Sequence, residues 1–294
     1  MGTLIAKKYS TKLFLKAADH TYVECGTGAK GWSCWGGKTS GAPLRSGIGS
    51  TKRADAIAGN KERAGITCYL VNGVCHQAAN RILLPSGITV RGARGYSISE
   101  ALFGTYGRVG IWPCHAPFSQ RPGVTGDLPA CVPVGGRLIE AVATDSDQRD
   151  WAYTRSVLAI YARAKSIEVN AKRATTARTG RGAKKIEAEL ETFQLELFRN
   201  QCAFNLGPQF DRTLERTLLS VRRATERKRV SVERARGARS MQSQDFISAF
   251  NALTIDFQTE MANALSSAKY ETLLGMKRDD EPIVLADPDI VGTP

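Results

Sequence analysis

A cysteine that lies between a turn signal and a helical pattern is the residue in this chain best placed for chemistry. The stretch Gly65 to Pro85 contains an apolar run, the pair Asn72 and Gly73, and then a helix-period pattern that ends at a proline. Cys75 therefore falls in the first turn of a predicted helix. Because the helix dipole and unpaired N–H groups stabilise a thiolate there, we expect a lowered pKa and a nucleophile. A buried packing residue is the alternative.

Three histidines can be considered as the base for this thiol. His76 follows the cysteine directly, and adjacent side chains on a helix point about 100° apart. His115 lies in a proline-rich stretch that gives it no fixed position. His20 falls inside a predicted strand, residues 13–23, and can hold its imidazole beside the helix start from an adjacent layer. We therefore predict that Cys75 and His20 form the reactive pair.

The order and setting of these two residues resemble the circularly permuted papain-like proteins, which include permuted NlpC-type peptidases and the lecithin retinol acyltransferase group. A strand histidine in the setting Asp-His-Thr-Tyr-Val, residues 19–23, precedes a glycine-led cysteine at a helix start. In ordinary papain-like enzymes the cysteine comes first. The resemblance implies a small antiparallel sheet that carries His20 and packs on the helix of Cys75. It also implies thiol-dependent hydrolysis of an amide or ester, with acyl transfer as the alternative.

General chemistry supplies the roles of the residues in such a site. The Cys75 thiolate attacks a carbonyl, and His20 holds the ion pair and later protonates the leaving group. Gln77 can donate to the oxyanion, and Ser33 is a candidate to orient the imidazole. A structural hydrogen bond within the helix is the alternative for Gln77 and Asn80. The expected substrate is a peptide or another amide, and no cofactor is indicated.

Composition is typical of a globular protein from a reducing compartment. The chain has 294 residues, of which 42% are hydrophobic, and this is enough for a sizeable core. Its seven cysteines are irregularly spaced without a CxxC pair, so neither a disulfide framework nor a metal site is indicated. No apolar run is long enough for a signal peptide or a membrane span. We expect a cytoplasmic protein, or one exported without a signal peptide of the usual kind.

The pattern of the chain changes near residue 147. Residues 1–146 combine short strand and helix patterns with many turns, and further predicted strands are Ile88 to Val90, Tyr96 to Ile98 and Val109 to Trp112. Residues 147–276 are predicted to form a basic helical bundle or hairpin, and residues 277–294 an acidic extended tail. The segments of helical period in the predicted bundle are 151–176, 184–206, 209–236 and 243–265.

These patterns together predict the α+β fold class. The expected architecture is a papain-like front half, with a small antiparallel sheet packed on the nucleophile helix, followed by an all-helical back half.

Charge is unevenly distributed, and this supports a different class of function. The net charge is +8 over residues 1–150, +11 over 151–240 and −6 over 241–294. A dense basic run in the middle third can contact nucleic-acid phosphates. Its candidate contact residues are Arg222, Arg223, Arg227, Lys228 and Arg229.

Two features of this run oppose nucleic-acid binding. It lacks interleaved aromatic residues, and Glu226 and Glu233 partly neutralise it. A solvated helix face, or a face docked on the acidic tail, is the alternative interpretation. The helical half can equally serve as an arm that binds a protein partner. The alternative function is therefore a non-catalytic binding protein that uses its basic helical half for nucleic acid or a protein partner.

Overall fold

A four-stranded antiparallel sheet begins the fold. Its strands are β1 (Gly2–Tyr9), β2 (His20–Cys25), β3 (Gly31–Trp32) and β4 (Ala42–Gly49), in the spatial order β3-β2-β1-β4. The computed structural model describes residues 2–9, 17–28, 30–32, 41–58, 64, 66, 69–108, 150, 152–164, 180–237 and 243–286.

Three short helices follow the sheet: α1 (Thr51–Ala58), α2 (Cys75–Leu83) and α3 (Tyr96–Phe103). The predicted helix start is confirmed, because Cys75 is the first residue of α2. The predicted stop is also confirmed, since Pro85 lies in a 3-10 turn at 84–86 that ends the helix.

One face of the sheet packs on α2. The strand register pairs Ala6 of β1 with Val23 of β2. Both side chains lie in one hydrophobic cluster with Cys75 and Ala78. Every residue of α2 is buried, because the helix lies between the sheet on one side and α3 with its following loop on the other.

Two predicted strands of the front half are wrong. Tyr96 to Ile98 belongs to α3, and Ile88 to Val90 forms no strand. Gly95 precedes the helix with φ +79°, and every residue of α3 except Ser97 is buried, so burial along it follows neither a strand period nor a helix period. A three-residue window is too short to separate the two periods. The predicted strand at 109–112 lies outside the described residues.

Long helices make up the second part of the chain, as predicted. They are α4 (152–164), α5 (Gly180–Leu206), α6 (Arg212–Gly237), α7 (Ser243–Ala264) and a shorter α8 (Ser267–Leu274). Gly207 and Pro208 lie in a 3-10 turn that separates α5 from α6. The predicted α+β class is thus confirmed as an antiparallel sheet with helices followed by a largely helical part. Within the described ranges, no helix is both long and apolar enough to cross a membrane.

A single hydrophobic cluster joins the two parts. It contains Leu70 and Phe103 from the front half together with Phe198, Phe250 and Leu285 from the back half. The rings of Phe103 and Phe250 stack with their centroids 5.7 Å apart. The core therefore crosses the boundary that the sequence pattern places near residue 147.

Candidate functional site

The thiol of Cys75 lies in the layer between α2 and β2. Its Sγ is 3.9 Å from the backbone oxygen of Asp19, and Thr21 and the Tyr69 hydroxyl also lie against it. Burial raises the thiol pKa above its ordinary value, and this outweighs the nearby polar groups of Thr21 and Tyr69, which lower it. The predicted low pKa of Cys75 is therefore wrong: loss of hydration exceeds the stabilisation that a helix start supplies.

His20 lies in a strand, as predicted, but β2 begins at His20 and not upstream of it as the predicted strand 13–23 does, and its side chain does not point toward α2. The register pairs Lys8 with Thr21 and Tyr9 with His20. Because strand residues alternate between faces, Thr21 on the α2 side places His20 on the opposite face. There its ring packs on Tyr9, with centroids 4.9 Å apart. The structure therefore does not bring the imidazole of His20 and the thiol of Cys75 together.

The protonation state of His20 also opposes a resting ion pair. Burial, with a smaller contribution from the nearby His76, lowers the His20 pKa to about 4. The ring is therefore neutral at neutral pH. A thiolate–imidazolium pair needs the opposite shifts in both groups, a lowered thiol pKa and a retained imidazole charge.

His76 is a buried structural residue. Its Nε2 lies 2.9 Å from the carbonyl oxygen of Asp19, and its Nδ1 lies 2.8 Å from the hydroxyl of Ser99. A carbonyl can only accept, so Nε2 carries the proton and donates to it. Nδ1 of the neutral ring is an acceptor beside the Ser99 hydroxyl, whose single proton also faces the Tyr96 carbonyl at 2.8 Å. Burial lowers the His76 pKa to about 4. The ring thereby ties α2 to both β2 and α3.

Both polar atoms of the Gln77 side chain form hydrogen bonds within the fold. Its Oε1 accepts from the Val74 backbone N–H, which caps α2, while its Nε2 donates to the Ser99 hydroxyl and to the Gly104 carbonyl, each at 3.2 Å. The structure thus places this amide in the helix cap and not at an oxyanion. Ser33 and His115 lie outside the described residues.

Asn80 likewise joins α2 to its surroundings. Its Nδ2 donates to the Thr105 carbonyl at 2.8 Å, and its Oδ1 accepts from the Val90 N–H at 2.8 Å. The buried polar residues of α2 therefore position the loops on either side of α3, which supports the structural alternative for both Gln77 and Asn80.

Two arginines of the predicted basic run are fully buried. Arg222 and Arg229 have no exposed surface. Arg222 donates to Ala101 O at 2.7 Å and to Leu102 O at 2.8 Å, so it caps the carboxyl end of α3. Burial excludes both side chains from contact with a nucleic acid, which corrects their assignment as nucleic-acid contacts.

The glutamates that were expected to neutralise the basic run face the core instead. Glu226 accepts from Arg222 at 2.9 Å and from Arg108 at 2.5 Å, and Glu233 pairs with Arg229. Despite the cost of desolvation, the adjacent guanidinium groups hold the Glu226 pKa below its usual value. These five side chains form the buried ion cluster. Burial raises the pKa of Glu233 to about 8, and both glutamates face away from the solvent side of α6.

Five exposed arginines remain along one side of α6. At 100° per residue they fall within an arc of about 60°, along about 33 Å of helix. This α6 arginine face consists of Arg212, Arg216, Arg223, Arg227 and Arg234.

Most of this face carries uncompensated charge. Arg212, Arg216 and Arg227 form no ion pair with any residue that the structure describes, and Arg223 reaches Glu191 only at 4.0 Å. Lys228 is exposed but lies on another side of the helix, where it pairs with Asp256 at 2.9 Å.

The spacing of the α6 arginine face was visible in the sequence but was missed. Residues that follow one another along a helix point in different directions, so a basic run defined by adjacent positions includes both inward and outward side chains. Intervals of four and seven residues mark one side of a helix, and Arg212, Arg216, Arg223, Arg227 and Arg234 follow them throughout.

In the part of the chain that the structure describes, no three His, Cys, Asp or Glu residues group as metal ligands would. The chain matches no family model, no curated protein and no solved structure.

Proposed function

We propose that this protein binds nucleic acid through the α6 arginine face. The observation that carries the proposal is the separation of charge across α6. Its glutamates Glu226 and Glu233 face the buried ion cluster, and five arginines lie on one exposed side, of which Arg212, Arg216 and Arg227 form no ion pair with a described residue. An exposed single-sign stripe of this length produces a local field that attracts polyanions.

The residue type favours phosphate over other anions. The planar guanidinium group presents a fork of donors that matches phosphate oxygens in pairs. The arginines recur about every 6 or 10 Å along the helix, so several can contact successive phosphates of one strand. A membrane surface fits less well, because a helix that lies on a membrane needs exposed apolar residues beside its basic ones. The apolar residues beside these arginines, Leu219 and Val230, are half-buried, and Leu219 packs on the core.

The proposed binding is independent of base sequence. Within the α6 arginine face there is no aromatic side chain on which a base could stack. Contacts to phosphate position a protein on nucleic acid without reading the bases. We therefore expect affinities that depend steeply on salt and hardly on sequence.

Fluorescence anisotropy of a labelled 20-base-pair duplex at several KCl concentrations tests this proposal. The variant is Arg216→Gln/Arg223→Gln/Arg227→Gln. Loss of three phosphate contacts is expected to reduce the slope of log K against log salt by about 3, and to weaken binding at least tenfold at low salt.

The matched control removes the same charge elsewhere on the surface, as Lys52→Gln/Arg155→Gln/Lys277→Gln, all three being exposed residues. It is expected to retain nearly all of the slope. Equal losses in the two triple variants would show that net charge alone, and not this face, attracts the duplex.

Thiol-dependent hydrolysis is a second proposal, and one specific observation favours it. Cys75 is the first residue of α2, and α2 packs on the strand that begins with His20, which is the arrangement implied by the resemblance to permuted papain-like proteins. In this proposal the Cys75 thiolate attacks an amide carbonyl, and His20 accepts the thiol proton and returns it to the leaving group. Residues 17–20 must move for the imidazole to reach the thiol.

Alkylation rates test the second proposal. Iodoacetamide labelling of Cys75 is followed against pH by peptide mass mapping, in the wild type and in His20→Ala. Reaction below the ordinary thiol pKa that is lost in the variant would support the pair. An ordinary or raised pKa in both proteins would exclude it.

A further inference from the structure

A short extended segment, residues 283–286, is held by two carboxamides of α7. Gln258 exchanges two hydrogen bonds with Ile283: its Nε2 donates to the carbonyl at 2.8 Å, and its Oε1 accepts from the N–H at 2.9 Å. Asn251 makes the same exchange with Ala286, at 3.1 and 3.2 Å. Each side chain thus takes the place of one residue of a neighbouring strand.

The spacing of the two carboxamides matches that of the segment. Asn251 and Gln258 lie seven residues apart, about 10.5 Å along a helix. Ile283 and Ala286 lie three residues apart, about 10 Å in an extended chain. The side chains of the segment are buried, whereas residues 277–282 before it are exposed.

The other edge of the segment holds the groups that cover Cys75. Val284 forms a parallel bridge with Ala17, and its carbonyl accepts from the Ala18 N–H at 3.0 Å. The next residue, Asp19, supplies the carbonyl oxygen beside the Cys75 thiol.

A second route connects the segment to the same thiol. The Tyr69 hydroxyl lies against the Cys75 sulfur and donates to the Leu285 carbonyl at 3.4 Å. Of the two polar groups on this side of the thiol, the Tyr69 hydroxyl is tied to residues 283–286 directly. The Asp19 carbonyl follows a residue tied to them, and Asp19 itself bonds to the Arg94 backbone.

We infer that residues 283–286 form a strap that closes the Cys75 site, and that release of the strap from α7 opens it. The strap has an exposed connection before it and is held to α7 by side-chain hydrogen bonds, so its opening exposes its own four buried side chains and leaves the helices in place. Opening frees Ala17, Ala18 and Tyr69, while Asp19 stays bonded to Arg94, and water then reaches the sulfur from the Tyr69 side. The inference concerns access to the thiol and does not depend on nucleic-acid binding.

The test weakens the clamps in the full chain with Asn251→Ala/Gln258→Ala. Hydrogen exchange reports the Ile283 and Ala286 amides, and iodoacetamide labelling at pH 8 reports Cys75. We expect both amides to exchange faster and Cys75 to react at least tenfold faster. Cys202, which is buried on α5 in the hydrophobic cluster that the strap also joins, is the internal reference for unfolding of the core and should keep its rate.

The matched control removes two buried carboxamides that do not contact the strap, as Gln194→Ala/Gln201→Ala. It should leave Cys75 unreactive. A single Gln258→Glu variant, which keeps the size of the side chain but loses its donor, serves if the double variant does not fold.

Three results would overturn the strap. Faster exchange of the amides with Cys75 still slow would show that the segment does not close the site. Cys75 and Cys202 reacting together would indicate global unfolding. Unchanged exchange at Ile283 and Ala286 would show that the carboxamides do not hold the segment.

Discussion

Burial governs the chemistry of the individual titratable residues in this protein. A charge at a helix terminus is stabilised by about 0.3 to 1 kcal/mol, whereas full burial shifts a pKa by up to about 3 to 5 units, each worth about 1.4 kcal/mol. Cys75 lies at a helix start and is also buried, and the larger effect, burial, keeps it protonated as a thiol. Cys25 shows the opposite case: it lies near the surface, and a hydrogen bond from the Thr27 hydroxyl lowers its pKa.

The two buried histidines should make the protein acid-sensitive. His20 and His76 have folded pKa values of about 4, against an ordinary value of 6.5. Between these values the unfolded chain binds protons that the folded chain does not. Stability is therefore fully present above about pH 6.5 and is lost as the pH falls toward 4, by about 3 kcal/mol per histidine.

Urea unfolding between pH 4 and 8 measures this loss. In His20→Gln the dependence on pH should fall by about half, because one of the two groups no longer titrates. Imidazole NMR signals of the folded protein that titrate near pH 6.5 would contradict the prediction.

At the scale of elements, α2 is an anchor as well as the carrier of Cys75. Its polar residues bond to groups on β2, α3 and the loops around α3, and no residue of the helix faces solvent. Such a network is stable only when each member is paired, because an unpaired group in a low-dielectric interior is costly.

Asn80→Ala should therefore destabilise the fold severely. It leaves the Val90 N–H and the Thr105 carbonyl buried without this partner, at a cost of about 1 to 3 kcal/mol for each group. Urea unfolding measures the change, and Ser220→Ala on the exposed side of α6 is the control, expected to stay within about 0.5 kcal/mol. A loss for Asn80→Ala as small as that of the control would show that the network carries little stability.

Across the whole molecule, the buried ion cluster joins the front half to α6. Arg108 follows α3 and contacts Glu226, while Arg222 reaches from α6 to the end of α3. Isolated buried charges are expensive, so each member depends on the others. Because this contact adds to the shared hydrophobic cluster, we expect the two parts to unfold as one cooperative unit.

Glu226→Ala is expected to cost about 3 to 5 kcal/mol, because it leaves guanidinium groups buried without their partner. Unfolding is monitored by two signals. Tryptophan fluorescence comes from four residues at positions 32, 35, 112 and 151, and far-UV circular dichroism comes mainly from the helices. The two transitions should coincide in the wild type and in the variant. Separate transitions in the wild type would contradict a single cooperative unit.

Where the sequence pattern is periodic over many residues, it was enough to predict whether a segment forms a helix or a strand. The long helices, the helix that begins at Cys75 and the strand that carries His20 were all predictable, because helix period, glycine and proline act within a few residues. Short apolar windows were not: Tyr96 to Ile98 is part of a helix, since three residues cannot distinguish the two periods.

Only the tertiary structure determined which side chains meet and which reach water. The strand register placed His20 and Cys75 on opposite sides of the sheet, and packing raised the thiol pKa that the helix start alone would lower. Packing also turned Arg222 inward and left Arg223, its neighbour, exposed. Burial depends on contacts between residues that are distant in sequence, so a charge run or a reactive residue type in the chain does not by itself define a surface or a site.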